Sequence, residues 1–119
     1  MDETSHTLTS AEQALLSSWE EIYMRGHFTF WVLFAIRSGN DNAQDITRFI
    51  QGRATNVQVN EQSLYRALRR YDDAGLVDVS RGITKKHKKY HLSSEGEHVL
   101  AAFISRNITP LQHIAKLDQ

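Results

Sequence analysis

The chain has 119 residues, enough for one core-forming domain, and its lack of cysteine excludes disulfides, thiolate nucleophiles and thiolate metal ligands, which fits a reducing cytoplasmic compartment. No run approaches the roughly 18 uninterrupted apolar residues of a membrane span, and the first twenty residues are acidic and polar where a secretory signal would be basic and then apolar. The 14 basic and 14 acidic side chains cancel formally but are segregated: residues 1–25 hold five acids and one base (−4), residues 60–92 eight bases and four acids (+4). Charges beyond a Debye length of about 10 Å are screened, so such a basic stretch attracts a polyanion whatever the total charge.

In chain order, a loose leader over residues 1–8 precedes a single expected domain over 9–119. Thr9 with Glu12, or Ser10 with Gln13, forms a capping box for a first helix, on which Leu15, Leu16, Trp19, Ile22 and Tyr23 make one apolar stripe. His27 to Ile36 is apolar almost all round and reads as a separate, most buried helix. The turn Ser38-Gly39-Asn40-Asp41-Asn42 offers Asp41 or Asn42 as cap for a third helix, with Ile46, Phe49 and Ile50 on one face and Gly52 at its end.

Asn60 is the expected cap of the next helix, where Leu64, Ala67, Leu68 and Tyr71 fall on one side and Gly75 supplies a left-handed stop. Residues 76–79 and 89–92 alternate in polarity and read as the strands of a hairpin with a basic tip. Ser93 or Ser94 caps a last long helix carrying Val99, Leu100, Phe103 and Ile104, which Thr109-Pro110 stops or restarts.

Opposite the apolar stripe of the 60–74 helix stand Gln62, Arg66 and Arg69, flanked by Ser63, Tyr65 and Arg70. Arginine presents a planar donor fork to guanine or phosphate and glutamine pairs bidentately with adenine, so Gln62, Ser63 and Arg66 suit base edges while Tyr65, Arg69 and Arg70 suit the backbone. Asp72 and Asp73 lie at the far end, where they need not meet phosphate; Glu61 suits the helix dipole but would repel a nearby phosphate. The hairpin tip adds Arg81, Lys85, Lys86, Lys88 and Lys89, a salt-sensitive grip on a polyanion. Either feature alone is ordinary solvated surface. Their succession is that of a winged helix-turn-helix that binds double-stranded DNA.

The segments Leu64-Tyr65-Arg66-Ala67-Leu68-Arg69-Arg70-Tyr71, Ala74-Gly75-Leu76-Val77 and Lys88-Lys89-Tyr90-His91-Leu92-Ser93-Ser94-Glu95-Gly96 resemble the core of PadR-family winged-helix transcriptional regulators, with weaker similarity from about Phe28 to Phe103. The resemblance implies an α+β, mainly helical fold and a homodimer joined by its terminal helices, usually a repressor. It also implies that Ser63, Tyr65 and Arg69 face DNA and that Lys86 to Lys89 form the wing.

The six histidines show no His-Glu-x-x-His spacing, no glycine-flanked serine elbow or phosphate loop is present, and no metal, cofactor or catalytic site is expected. Trp19, Tyr23 and Trp31 are candidates for binding a small aromatic effector near a dimer interface, against the plainer reading of core and dimer packing. A winged helix serving only as a protein-interaction module is the alternative from another class. The dimer surfaces expected are the Leu15, Trp19, Ile22 and Tyr23 stripe and a final helix with Phe103, Ile104, Leu111 and Ile114.

Overall fold

The computed structural model describes residues 7–54, 58–81 and 87–117. Helix α1 (Ser10–Arg37) leads to α2 (Ala43–Arg53), α3 (Glu61–Asp73), the strands β1 (Val77–Ser80) and β2 (Lys89–Leu92), α4 (Ser94–Phe103), a π-helical turn (Ile104–Ile108) and α5 (Thr109–Leu117). The winged-helix expectation holds: three core helices, an antiparallel two-stranded hairpin and flanking helices.

The N-terminus of α1 is fixed by Thr9. Its hydroxyl accepts from the Glu12 amide at 3.1 Å, and its own amide donates to the Glu12 carboxylate at 2.9 Å, a complete capping box. The helix then runs unbroken for 28 residues, so two helices precede α3 rather than the three expected from sequence. What changes near Gly26 is the surroundings of the helix and not its backbone. A glycine in a helix interior costs about 1 kcal/mol relative to alanine, which packing beyond it offsets. From Phe28 to Ile36 the helix is wrapped by α2, α4 and β2, and Val32, Leu33, Ala35 and Ile36 are buried. Before Gly26 it projects from the domain, which measures 56 × 28 × 20 Å.

Gly39 turns the chain at φ +106°, and the Asn40 side chain donates to the Ala35 carbonyl at 3.0 Å. Asn42, one of the two expected caps, accepts from the Asp45 amide at 2.9 Å and starts α2. That helix passes through Gly52 and ends at Arg53. Ile46 and Ile50 from α2, Leu64 and Leu68 from α3, Val77, Tyr90 and Leu100 close the core over α1.

The junction of α3, hairpin and α4 depends on a few small residues. Gly75 adopts φ +78°, the expected left-handed stop. Ser93, buried, accepts from the Gly96 amide at 3.0 Å to cap α4, donates to the Gly75 carbonyl, and through its own amide donates to the Leu76 carbonyl at 3.0 Å. A side chain at Gly96 would run into that same Leu76 carbonyl oxygen, so the glycine is what lets α4 start against the turn after α3.

At the C-terminus the helix does not stop at Thr109-Pro110. The Thr109 amide donates to the Ile104 carbonyl, a wide π turn, and Pro110 falls in the first turn of α5, where its missing N–H is tolerated.

Candidate nucleic-acid interface

Helix α3 begins where Asn60 accepts from the Ser63 amide at 3.0 Å. Leu64, Ala67, Leu68 and Tyr71 are buried on the side read from sequence, and this anchors the rotation of the helix. Tyr71 fixes it further: its phenol donates to the Thr29 hydroxyl of α1 at 2.8 Å. Burial pushes the Tyr71 phenol up, against the opposing effects of Thr29 and Arg70.

With that side fixed, Gln62, Arg66, Arg69 and Arg70 are exposed on the opposite side, and Ser63 and Tyr65 lie half-buried at its margins. An Arg66 guanidinium nitrogen lies 3.4 Å from the Ser63 hydroxyl and donates to it, so these two residues act as a unit at the N-terminal half of the helix. Burial, with help from the Glu61 carboxylate, pushes the Tyr65 phenol above its ordinary value.

The hairpin stands beside this helix. Its register pairs Val77 with Leu92, Asp78 with His91, Val79 with Tyr90 and Ser80 with Lys89. Because side chains alternate across a strand, Val79 and Tyr90 face α3 while Ser80 and Lys89 face away. A cleft of about 220 Å³ separates helix from hairpin, lined by Tyr65, Arg69, Asp72 and Asp73 on one side and Val79, Arg81, Lys88 and Tyr90 on the other. The structure therefore brings Lys88 alongside Arg69, and it adds Arg81, whose place in the basic run was the only signal in the sequence.

Two features of this region were not foreseen. Asp72 and Asp73, at the far end of α3, line the cleft beside the wing cations. Lys89 points to the other face, where its ammonium sits 3.5 Å from the Asp41 carboxylate. Lys85 and Lys86 lie outside the described residues.

The aromatic trio named as an effector site is spread along α1. Trp19 and Tyr23 are exposed, with Tyr23 stacked on His27 at 4.2 Å between ring centroids, while Trp31 is half-buried and edge-on to Phe30 at 5.4 Å. Trp19 and Trp31 are twelve residues apart, about 18 Å along the helix axis, so one small ligand does not span both within a chain. Among the described residues no group of histidines and carboxylates is placed to hold a metal ion, and no helix is long and apolar enough to cross a membrane.

No protein-family model matches the sequence, and neither does any curated protein. Solved structures do match in fold. A PadR family transcriptional regulator from Eggerthella lenta superposes with a TM-score of 0.69 at 21% identity, covering 93% of this chain and 98% of that one. A transcriptional regulator from Clostridium thermocellum gives 0.65 at 17% identity over 95% of this chain and all of that one (100%). A PadR family transcription regulator from Clostridium difficile gives 0.60 at 14% identity over 78% and 99%. The chain thus has a PadR-like winged-helix fold along nearly its whole length, as the sequence resemblance implied.

Proposed function

We propose that the chain is a cytoplasmic, homodimeric transcriptional regulator, a repressor, that binds double-stranded DNA with α3 in the major groove and the wing on the neighbouring backbone. The observation that carries this reading is the outward face of α3. Gln62, Arg66, Arg69 and Arg70 are exposed opposite a completely buried apolar stripe, with Arg81 and Lys88 of the hairpin beside them. Gln62, Ser63 and Arg66 read base edges; Tyr65, Arg69, Arg70 and Lys88, with Lys85 and Lys86 of the wing tip, hold phosphates. The similar structures bear the names of transcriptional regulators, which agrees with this use of the fold.

The second subunit answers to the apolar surface a single chain leaves bare: Leu15, Trp19, Ile22 and Tyr23 on α1 and Leu111, Ile114 and Leu117 on α5. Phe103 and Ile104, expected at the same interface, are half-buried within the chain itself, Ile104 against the core and Phe103 stacked on Phe30 at 5.5 Å. A two-fold dimer places two copies of α3 about 34 Å apart, one turn of DNA, and so calls for an inverted-repeat site. A small aromatic effector that releases DNA would bind near the dimer interface, stacking on the aromatic side chains of Trp19, Tyr23 and Trp31.

Anisotropy of labelled duplex DNA across a salt series tests the reading. The wild type is expected to bind with a steep salt slope, and replacing Lys85, Lys86, Lys88 and Lys89 together by alanine should flatten it. Arg66→Ala should cost about 1–3 kcal/mol on a specific site. A wild type that does not bind even at low salt overturns the proposal in favour of a protein-interaction module.

A further inference from the structure

Among the described residues, Asp41 of the loop between α1 and α2 holds the wing through both its backbone and its side chain. The Asp41 carbonyl accepts from the Tyr90 amide at 2.8 Å, continuing the hydrogen bonding of β2 beyond the hairpin. Its carboxylate, 3.5 Å from the Lys89 ammonium, also accepts from the Asn42 side-chain amide at 3.1 Å. Asn42 is itself immobilised, since its amide donates to the Asp45 carboxylate at 2.9 Å while its carbonyl caps α2. The anion facing Lys89 is therefore built into the start of a core helix and is not the loose end of a surface chain.

The strand register gives the pairing its meaning. Lys88 lines the cleft shared with Arg69, whereas Lys89 emerges on the opposite face of the hairpin, next to Asp41. Two adjacent lysines that look equivalent in the sequence have different neighbours.

We propose that Asp41 is a positioning residue for the wing, fastening β2 to the α1–α2 loop and holding Lys89 out of phosphate binding, so that Lys88 and not Lys89 makes the wing's contact beside α3. This rests on the DNA-binding reading above. Asp41 acts as a tethered competitor for phosphate. It is already in place, so it holds the Lys89 ammonium without the ordering that a mobile DNA backbone requires. The carboxyl group behaves accordingly: against the modest burial that would raise it, the Asn42 amide and the Lys89 ammonium hold it below the ordinary aspartate range.

A double-mutant cycle on the full chain decides the matter, with mixed-sequence duplex DNA and salt slopes measured by anisotropy for wild type, Lys89→Ala, Asp41→Asn and the double variant. Each phosphate neutralised contributes about 0.9 to the slope. Lys89→Ala should leave the slope of the wild type unchanged, and Asp41→Asn should steepen it by about 0.9 by releasing Lys89. The double variant should return to the wild-type slope, because the gain requires the lysine. A slope flattened by about 0.9 in Lys89→Ala alone would show Lys89 already on phosphate and overturn the proposal. So would an Asp41→Asn slope equal to wild type, or a steepening that survives in the double variant. Absence of DNA binding by the wild type would instead remove the functional reading. The tether is then judged by carboxyl NMR titration of Asp41, which should move up in Lys89→Ala and would refute the pairing by staying still.

Discussion

The two halves of α1 both carry large apolar side chains and meet opposite fates. Between Phe28 and Ile36 the aromatic and aliphatic side chains lie within the domain, Val32 at 0% and Leu33 at 2% exposure. One and two turns before Gly26 the same continuous helix shows Ile22 at 64% and Trp19 at 70%. Hydrophobicity along a helix thus reports that a surface is to be covered and how widely, without naming the element that covers it. The difference lies in tertiary supply: in the second half Phe34 meets Phe49 of α2, Phe30 meets Phe103 of α4, and Val32, Leu33, Ala35 and Ile36 join the core. A narrow stripe suits a single facing partner, and an apolar circumference suits a helix enclosed by its own chain.

The comparison breaks most sharply at Leu33. Leu33→Ala removes a side chain in the middle of the core, and the expected loss of unfolding free energy is about 2–5 kcal/mol, read from urea denaturation. A loss below 1 kcal/mol would mean that the second half of α1 is not the organising element of the core. Next comes Tyr71→Phe, which deletes the 2.8 Å hydrogen bond from α3 to Thr29 of α1 while keeping the ring. Thr29 is exposed and regains water, so no buried group is orphaned and the cost should be about 1 kcal/mol. The bond ties the rotation of α3 to α1, so the variant should also weaken DNA binding, measurable by anisotropy at fixed salt.

What was legible in the sequence is what short-range chemistry decides. The Thr9–Glu12 box, the Asn42 and Asn60 caps, the left-handed Gly75, the buried stripe of α3 and its exposed arginines follow from neighbours within a turn or two of the helix. The segments that carried the family resemblance have a physical basis too: Gly75, Leu76, Ser93 and Gly96 meet at one junction, where the left-handed turn at Gly75 and the Leu76 carbonyl against Gly96 both call for glycine. The continuity of α1 was not legible, because the change in hydrophobic pattern at Gly26 reflects a change of partners and imitates a helix boundary. Nor was the division between Lys88 and Lys89, which depends on strand register and on an aspartate 48 residues earlier. The neighbours of Asp72 and Asp73 were not legible either, because position along the helix puts them at its far end and only the tertiary fold brings Arg81 and Lys88 of the hairpin beside them.

The smallest expected effect on the fold itself comes from the projecting half. Trp19→Ala touches a side chain that the single chain leaves 70% exposed, so the intrinsic stability of the domain should change by no more than about 0.5 kcal/mol. Association is another matter: a tryptophan at the centre of an interface contributes about 2 kcal/mol or more to binding. The two effects separate by mass action, since the stability that a second subunit lends depends on protein concentration and intrinsic stability does not. The wild type should therefore show a denaturation midpoint that rises with concentration and a dimer in sedimentation. Trp19→Ala should be shifted towards monomer, with a midpoint that is nearly independent of concentration and close to that of the dilute wild type. If the variant instead loses several kcal/mol at every concentration, Trp19 belongs to the chain's own core and the contrast between the halves of α1 fails. If it stays dimeric with unchanged dissociation, the stripe on α1 is not where the second subunit binds, and the apolar face of α5 at Leu111, Ile114 and Leu117 has to hold the dimer without it.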